Sequence, residues 1–209
     1  MRKIKRFKIS TRQKEITRKV MRLGLDLSAA GLTDEIALTR FVLDLSKKLD
    51  PGTVYELNEN VLWDLPEHTV AAQGMFSACV VTLGKNCTDY TNTLQGHLQL
   101  AAQTVLFEFL RTATLFVLDL VKEQAEQEEY ETLDPQFVYV PKLGLAPAPK
   151  LFQDSPRMPE DTAATVLPEL LKRVSSEKIE VALSDGQFLP TATVVFIVPW
   201  QKKRRKGKK

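Results

Sequence analysis

Apolar residues recur along this chain at two spacings, three to four positions apart in some stretches and alternate or consecutive in others. This predicts a mixture of helices and strands. Over residues 11–23, Ile16, Val20 and Leu23 form one helical stripe and Lys14, Arg18 and Arg22 another, the pattern of a basic amphipathic helix. A second helix is expected from Thr33, whose hydroxyl can cap free backbone N–H groups, with Asp34 and Glu35 at the positive end of the helix dipole. Leu38, Phe41, Val42, Leu45 and Leu49 supply its buried face, and Asp50-Pro51-Gly52 stops it. Residues 53–57 and 78–83 read as strands, the second closed by Gly84 and Asn86. The piece between them, with Pro66 and Gly74, reads as irregular, with Trp63 and Phe76 as core anchors.

From residue 97 to 128 there is no proline or glycine, and residues 98–121 carry apolar side chains on nearly every face. Such a helix is central and surrounded by other elements, with the acidic stretch 123–131 as its solvated end. Glu108, Arg111 and Asp119 interrupt the apolar run before the roughly 18 clean positions that a membrane span requires. Residues 134–159 contain Pro135, Pro141, Pro147, Pro149, Pro156 and Pro159, and read as an extended, ordered loop. A helix follows over 159–174, kinked or shortened by Pro168. Strands over 178–183 and 193–198 then flank a turn at 184–186, and the sheet is expected to end at Trp200.

Together these elements predict one α+β domain. The length of 209 residues suits a single core, and 44% apolar residues, 26% charged residues and 9 glycines are ordinary for a globular chain. Charge divides it further. Residues 1–22 hold ten Lys or Arg against Glu15 alone, and residues 201–209 hold seven with no acid. Between 23 and 200 there are 12 basic and 25 acidic residues, so an acidic body lies between two basic ends. The expected layout is a basic, partly helical segment 1–22, a domain 23–200 and a basic disordered tail 201–209. The first helix is open to two readings, a surface helix docked on the body or an element for a membrane or nucleic acid; a transit peptide is a minor third. Two cysteines, Cys79 and Cys87, have no metal-site spacing and read as buried free thiols, which with the lack of a signal peptide points to the cytoplasm.

No catalytic motif stands out. His68 and His97 lack acidic or cysteine neighbours at ligand spacing, Ser77 and Ser184 lack a nucleophile-elbow setting, and there is no glycine-rich phosphate loop. Thr104, Glu108, Arg111 and Thr112 do fall along one side of the long helix, where Glu108 and Arg111 can pair across one turn. They read either as a structural ion pair at a helix contact or as the polar floor of a ligand pocket.

Four segments carry a family likeness. They are Arg18-Lys19-Val20-Met21-Arg22-Leu23-Gly24, Ala78-Cys79-Val80-Val81-Thr82-Leu83-Gly84, Phe107-Glu108-Phe109-Leu110-Arg111-Thr112-Ala113, and residues 179–198 with Leu189-Pro190. In their order and spacing the chain resembles the activation domain of cobalamin-dependent methionine synthase, and more closely the small stand-alone proteins related to it. The resemblance implies a curved, mostly antiparallel sheet with a long central helix and flanking helices. It also implies S-adenosylmethionine binding and docking on a corrinoid-carrying protein, so that cobalamin is met only through a partner.

The candidate ligand residues are Glu108 and Arg111 from the pocket-floor reading of the long helix, Ala146 and Pro147 where the resemblance places the ligand motif, and Lys142 as a stand-in for the motif's charge. The family's ligand motif has an arginine two residues before a small residue, then proline, glycine and tyrosine. In Gly144-Leu145-Ala146-Pro147-Ala148-Pro149 only Ala146 and Pro147 match. Lys142 or Lys150 could replace the charge but not the planar fork of arginine, so the expectation is a degenerate site with no tightly bound cofactor. The function expected is that of a non-catalytic accessory protein assisting reductive reactivation of a corrinoid protein. The alternative is a protein whose basic ends bind nucleic acid or another anionic partner or surface.

Overall fold

A computed structural model describes residues 1–9, 13–24, 26–58, 75–184 and 186–203. Trp63, Pro66, His68, Gly74 and residues 204–209 lie outside these. The chain is α+β, with β1 (Arg2–Lys5), α1 (Gln13–Met21), α2 (Glu35–Ser46), β2 (Gly52–Asn58), β3 (Phe76–Thr82), α3 (Lys85–Thr93) and α4 (Gly96–Gln127) in its first part. The remainder contains β4 (Tyr130–Thr132), β5 (Gln136–Tyr139), α5 (Lys150–Asp154), α6 (Glu160–Arg173), β6 (Ala182–Ser184), β7 (Gln187–Leu189) and β8 (Thr193–Lys202).

The main sheet is antiparallel in the order β1-β2-β3-β8-β4, with β5 also pairing β8, and β6–β7 form a separate hairpin. Both faces of this sheet are covered. Cys79, Val81, Val194, Phe196 and Val198 enter a core with α1, α2 and α4, while Ala78, Val80, Val195 and Ile197 enter a second core with α6 and the hairpin residue Phe188. Double coverage explains why all seven residues of β3 are buried and why β3 and β8 read as apolar runs rather than alternating ones.

Several expectations are corrected. The cap of α2 is Asp34, not Thr33: its carboxylate accepts the Ala37 N–H at 2.7 Å. The proline-rich stretch is not a plain loop, because β5 pairs with β8 inside it and α5 follows. Three of its six prolines immediately precede an element, where a missing N–H costs no ladder bond: Pro135 before β5, Pro149 before α5 and Pro159 before α6. Pro168 does not shorten α6. The helix keeps 14 residues, with Val166, Leu167, Leu170 and Leu171 buried on both sides of the proline. Residues 178–183 are not one strand. A 3₁₀ turn, Ser176–Ile179, and a left-handed Glu180 (φ 60°) put Ile179 and Val181 into the second core before β6 begins.

Besides β5, α5 and β7, three further elements were not anticipated. β1, rich in lysine and arginine, pairs with β2 and forms the sheet's edge, where cations discourage further pairing. β4 lies within the acidic stretch and pairs with Trp200–Lys202, so β8 continues past Trp200 and takes Gln201 and Lys202 out of the basic tail. α3 begins at Gly84, where φ is 86° and any Cβ would stand 2.7 Å from the Asp50 carbonyl oxygen.

Candidate functional site

The long helix α4 organises the site. With no proline or glycine after Gly96 it runs 32 residues, and 14 of these are buried, so any charge on its inner faces needs a partner from another element. Glu108 is such a charge, at 6% exposure. Its Oε2 accepts hydrogen bonds from Lys19 Nζ at 2.7 Å and from Arg111 Nε at 3.0 Å. The expected Glu108–Arg111 pair is therefore present, and it has a third member from α1. The flanking hydroxyls are satisfied locally: Thr104 donates to the Leu100 carbonyl at 2.9 Å, and Thr112 to the Glu108 carbonyl at 3.0 Å.

Lys19 was missed because α1 was divided into an apolar stripe and a basic one. It lies three residues after Ile16 and beside Val20, both buried, and that spacing already put it on the inner side of the helix. The result is a three-member charge cluster joining α1 to α4, the structural ion pair at a helix contact.

The other candidate positions lie on the loop after β5. Lys142 and Pro147 are exposed, and Ala146 is partly buried against the first core, its N–H bonded to the Leu143 carbonyl at 3.1 Å. This loop meets α4 at Gln103, whose side chain fills the space where a Cβ on Gly144 would stand. Gly144, Leu145, Gln99 and Gln103 border a cavity of about 340 Å³ there. Among the described ion pairs and hydrogen bonds, none connects Lys142, Ala146 or Pro147 to Glu108 or Arg111.

The remaining reactive groups are held by structure. His97 is exposed, and its Nδ1 accepts the Asp26 N–H at 3.1 Å. Among the described residues no group of three or more His, Cys, Asp or Glu is placed to hold a metal. Also among them, no helix is long and apolar enough to cross a membrane. Cys79 and Cys87 are fully buried free thiols. Burial pushes both upward in pKa, Cys87 to about 11.

A thiol raised in the folded state keeps its proton longer than in the unfolded chain. The stability linked to Cys87 is therefore complete below the ordinary value of 9.0 and is lost as pH rises toward about 11. Native protein at pH 8 is expected to resist thiol-specific alkylation and to label only as it unfolds. Stoichiometric labelling of the folded protein, followed by mass spectrometry, would contradict the buried placement.

No protein-family model matches the chain, and no curated protein matches it either.

Proposed function

We propose that this chain is a non-catalytic accessory protein on an activation-domain-like scaffold, which docks on a corrinoid-carrying protein and has a degenerate S-adenosylmethionine site. The observation that carries the reading is the Glu108 carboxylate, which is taken up by two cations of the chain itself and is nearly shielded from water. A carboxylate so occupied is a brace between helices rather than a ligand contact.

Convergence of the resembling segments adds support. β3 and β8 pair over seven residues, α4 packs on both, and Val20 of the leader is fully buried in the same core. Four short likenesses scattered along the chain thus meet in one structural unit.

The reading is tested by calorimetric titration with S-adenosylmethionine and by binding to a cobalamin-loaded corrinoid protein from the same organism. One charge-assisted bond contributes roughly 1.5 to 3 kcal/mol, so absence of the motif arginine should weaken S-adenosylmethionine by about ten- to a hundred-fold. We expect little or no heat with the nucleoside and measurable binding to the corrinoid protein. A low-micromolar constant for S-adenosylmethionine would restore an intact ligand site, and no binding to the corrinoid protein would remove the accessory role.

A further inference from the structure

A second region, away from the Glu108 cluster, has the make-up of a ligand site. The segment after β1, the end of α2 and the start of α3 surround a groove of about 630 Å³, within the roughly 300–1,000 Å³ usual for small-molecule sites. Among the described residues, Arg6, Lys8, Lys47 and Lys48 line it, with Asp50 as the one lining acid. Lys47 and Lys48 come from the body between 23 and 200, where acids outnumber bases about two to one, and the basic end brings Arg6 and Lys8 beside them. The wall between them is apolar, made by Phe7, Ile9, Leu49 and Phe109, and the Asn86 carboxamide adds a neutral hydrogen-bonding group.

The cations are only partly neutralised from within. Arg6 pairs with Asp50 at 3.3 Å and Lys47 with Asp44 at 2.8 Å. Lys48 sits over the Tyr90 ring at 4.3 Å, which positions the ammonium without cancelling its charge. Lys8 makes no ion pair among the described residues. Four cations against two carboxylates leave about two positive charges, close to the charge of −1.5 to −2 that a phosphomonoester carries at neutral pH. Phe7 is itself anchored, stacked on Phe116 of α4 with ring centroids 4.8 Å apart, so it can offer a fixed apolar wall to a planar group.

We propose that this groove binds a phosphomonoester on a planar aromatic body, the chemistry of a nucleoside monophosphate. Lys8 and Lys48 hold the phosphate, Arg6 and Lys47 add to the field, and the aromatic body lies against Phe7 and Leu49. The site is independent of the corrinoid reading above, since it uses none of the Glu108 cluster or the loop after β5. An apolar wall also distinguishes it from binding by solvated basic ends, which would recognise any polyanion through charge alone.

The test is a calorimetric titration of the full chain with adenosine 5′-monophosphate, adenosine and inorganic phosphate, repeated on a Lys8→Ala/Lys48→Ala variant whose melting temperature is recorded in parallel. Saturable binding of the monophosphate with a dissociation constant below about 1 mM is expected, together with a loss of about tenfold or more in the variant. Adenosine and phosphate should each bind more weakly than the monophosphate, because each fills only half the groove. No saturable binding of the monophosphate would overturn the proposal, as would equal binding by adenosine or by phosphate. An unchanged constant in a variant of unchanged melting temperature would overturn it too. If the double variant melts early, Lys8→Glu alone, on an exposed side chain, must abolish binding for the proposal to stand.

Discussion

Replacing Phe137 by alanine is expected to lower the unfolding free energy by about 3–5 kcal/mol, the range for a large aromatic removed from a close-packed interior. Phe137 is 1% exposed. Its ring meets Phe152 edge-on at 5.4 Å and Phe196 at 5.5 Å, so it links β5, α5 and β8. Truncation would remove the transfer free energy of the ring and both aromatic contacts, and the three elements around it have little freedom to close the void. Its backbone is also engaged, the N–H with the Pro156 carbonyl and the carbonyl with the Met158 N–H, each at 2.9 Å. Urea denaturation followed by Trp fluorescence would measure the change. A loss under about 1 kcal/mol would mean that β5 is a dispensable strap rather than a strand of the core.

That residue also marks the limit of what the sequence makes legible. Elements whose signal is local were readable: α2 from its apolar spacing and acidic start, α4 from 31 residues without proline or glycine, β3 and β8 from dense apolar runs. β5 was not, because four residues among prolines carry no period of their own, and their strand geometry comes from pairing with β8. β4 was hidden in the same way by the acidic residues around it. α3 has few apolar residues and five threonines or asparagines among its nine positions, so propensity argues against a helix. What holds it is tertiary: Cys87, Thr88 and Thr91 are buried, and the Thr88 and Thr91 hydroxyls donate to carbonyls one turn back, at Gly84 and Cys87.

The candidate site divides along the same line. Glu108 with Arg111 was readable because a three-residue spacing on one helix is local information. Lys19 is 89 positions from Glu108, and only the packing of α1 on α4 brings them together. The groove beside Phe7 had no signature at all, since its cations come from two separate parts of the chain, Arg6 and Lys8 in one and Lys47 and Lys48 in the other. Charge counted along the sequence assigned the first pair to a basic end and gave the second no role.

The charge cluster itself makes an asymmetric prediction. Removing Glu108 and removing its two partners delete the same interactions, but they strand different groups. In Glu108→Ala the cations left behind are Lys19, 39% exposed at the side chain, and Arg111, 28% exposed, and both can turn toward water. In Lys19→Ala/Arg111→Ala the group left behind is a carboxylate at 8% exposure on a helix packed into the core. Stranding a buried charge costs about 3–5 kcal/mol, whereas losing a partner whose counter-ions can be rehydrated costs less. The double variant should therefore be the less stable, with Glu108→Ala intermediate and Glu123→Ala, on an exposed side chain, within about 0.5 kcal/mol of the parent. The triple variant, lacking all three charges, should recover part of the loss seen in the double one, because no carboxylate then remains to be desolvated. Equilibrium denaturation of the four variants at pH 7 measures the order directly. If Glu108→Ala and Glu123→Ala behave alike, Glu108 faces water in solution and the brace between α1 and α4 does not exist.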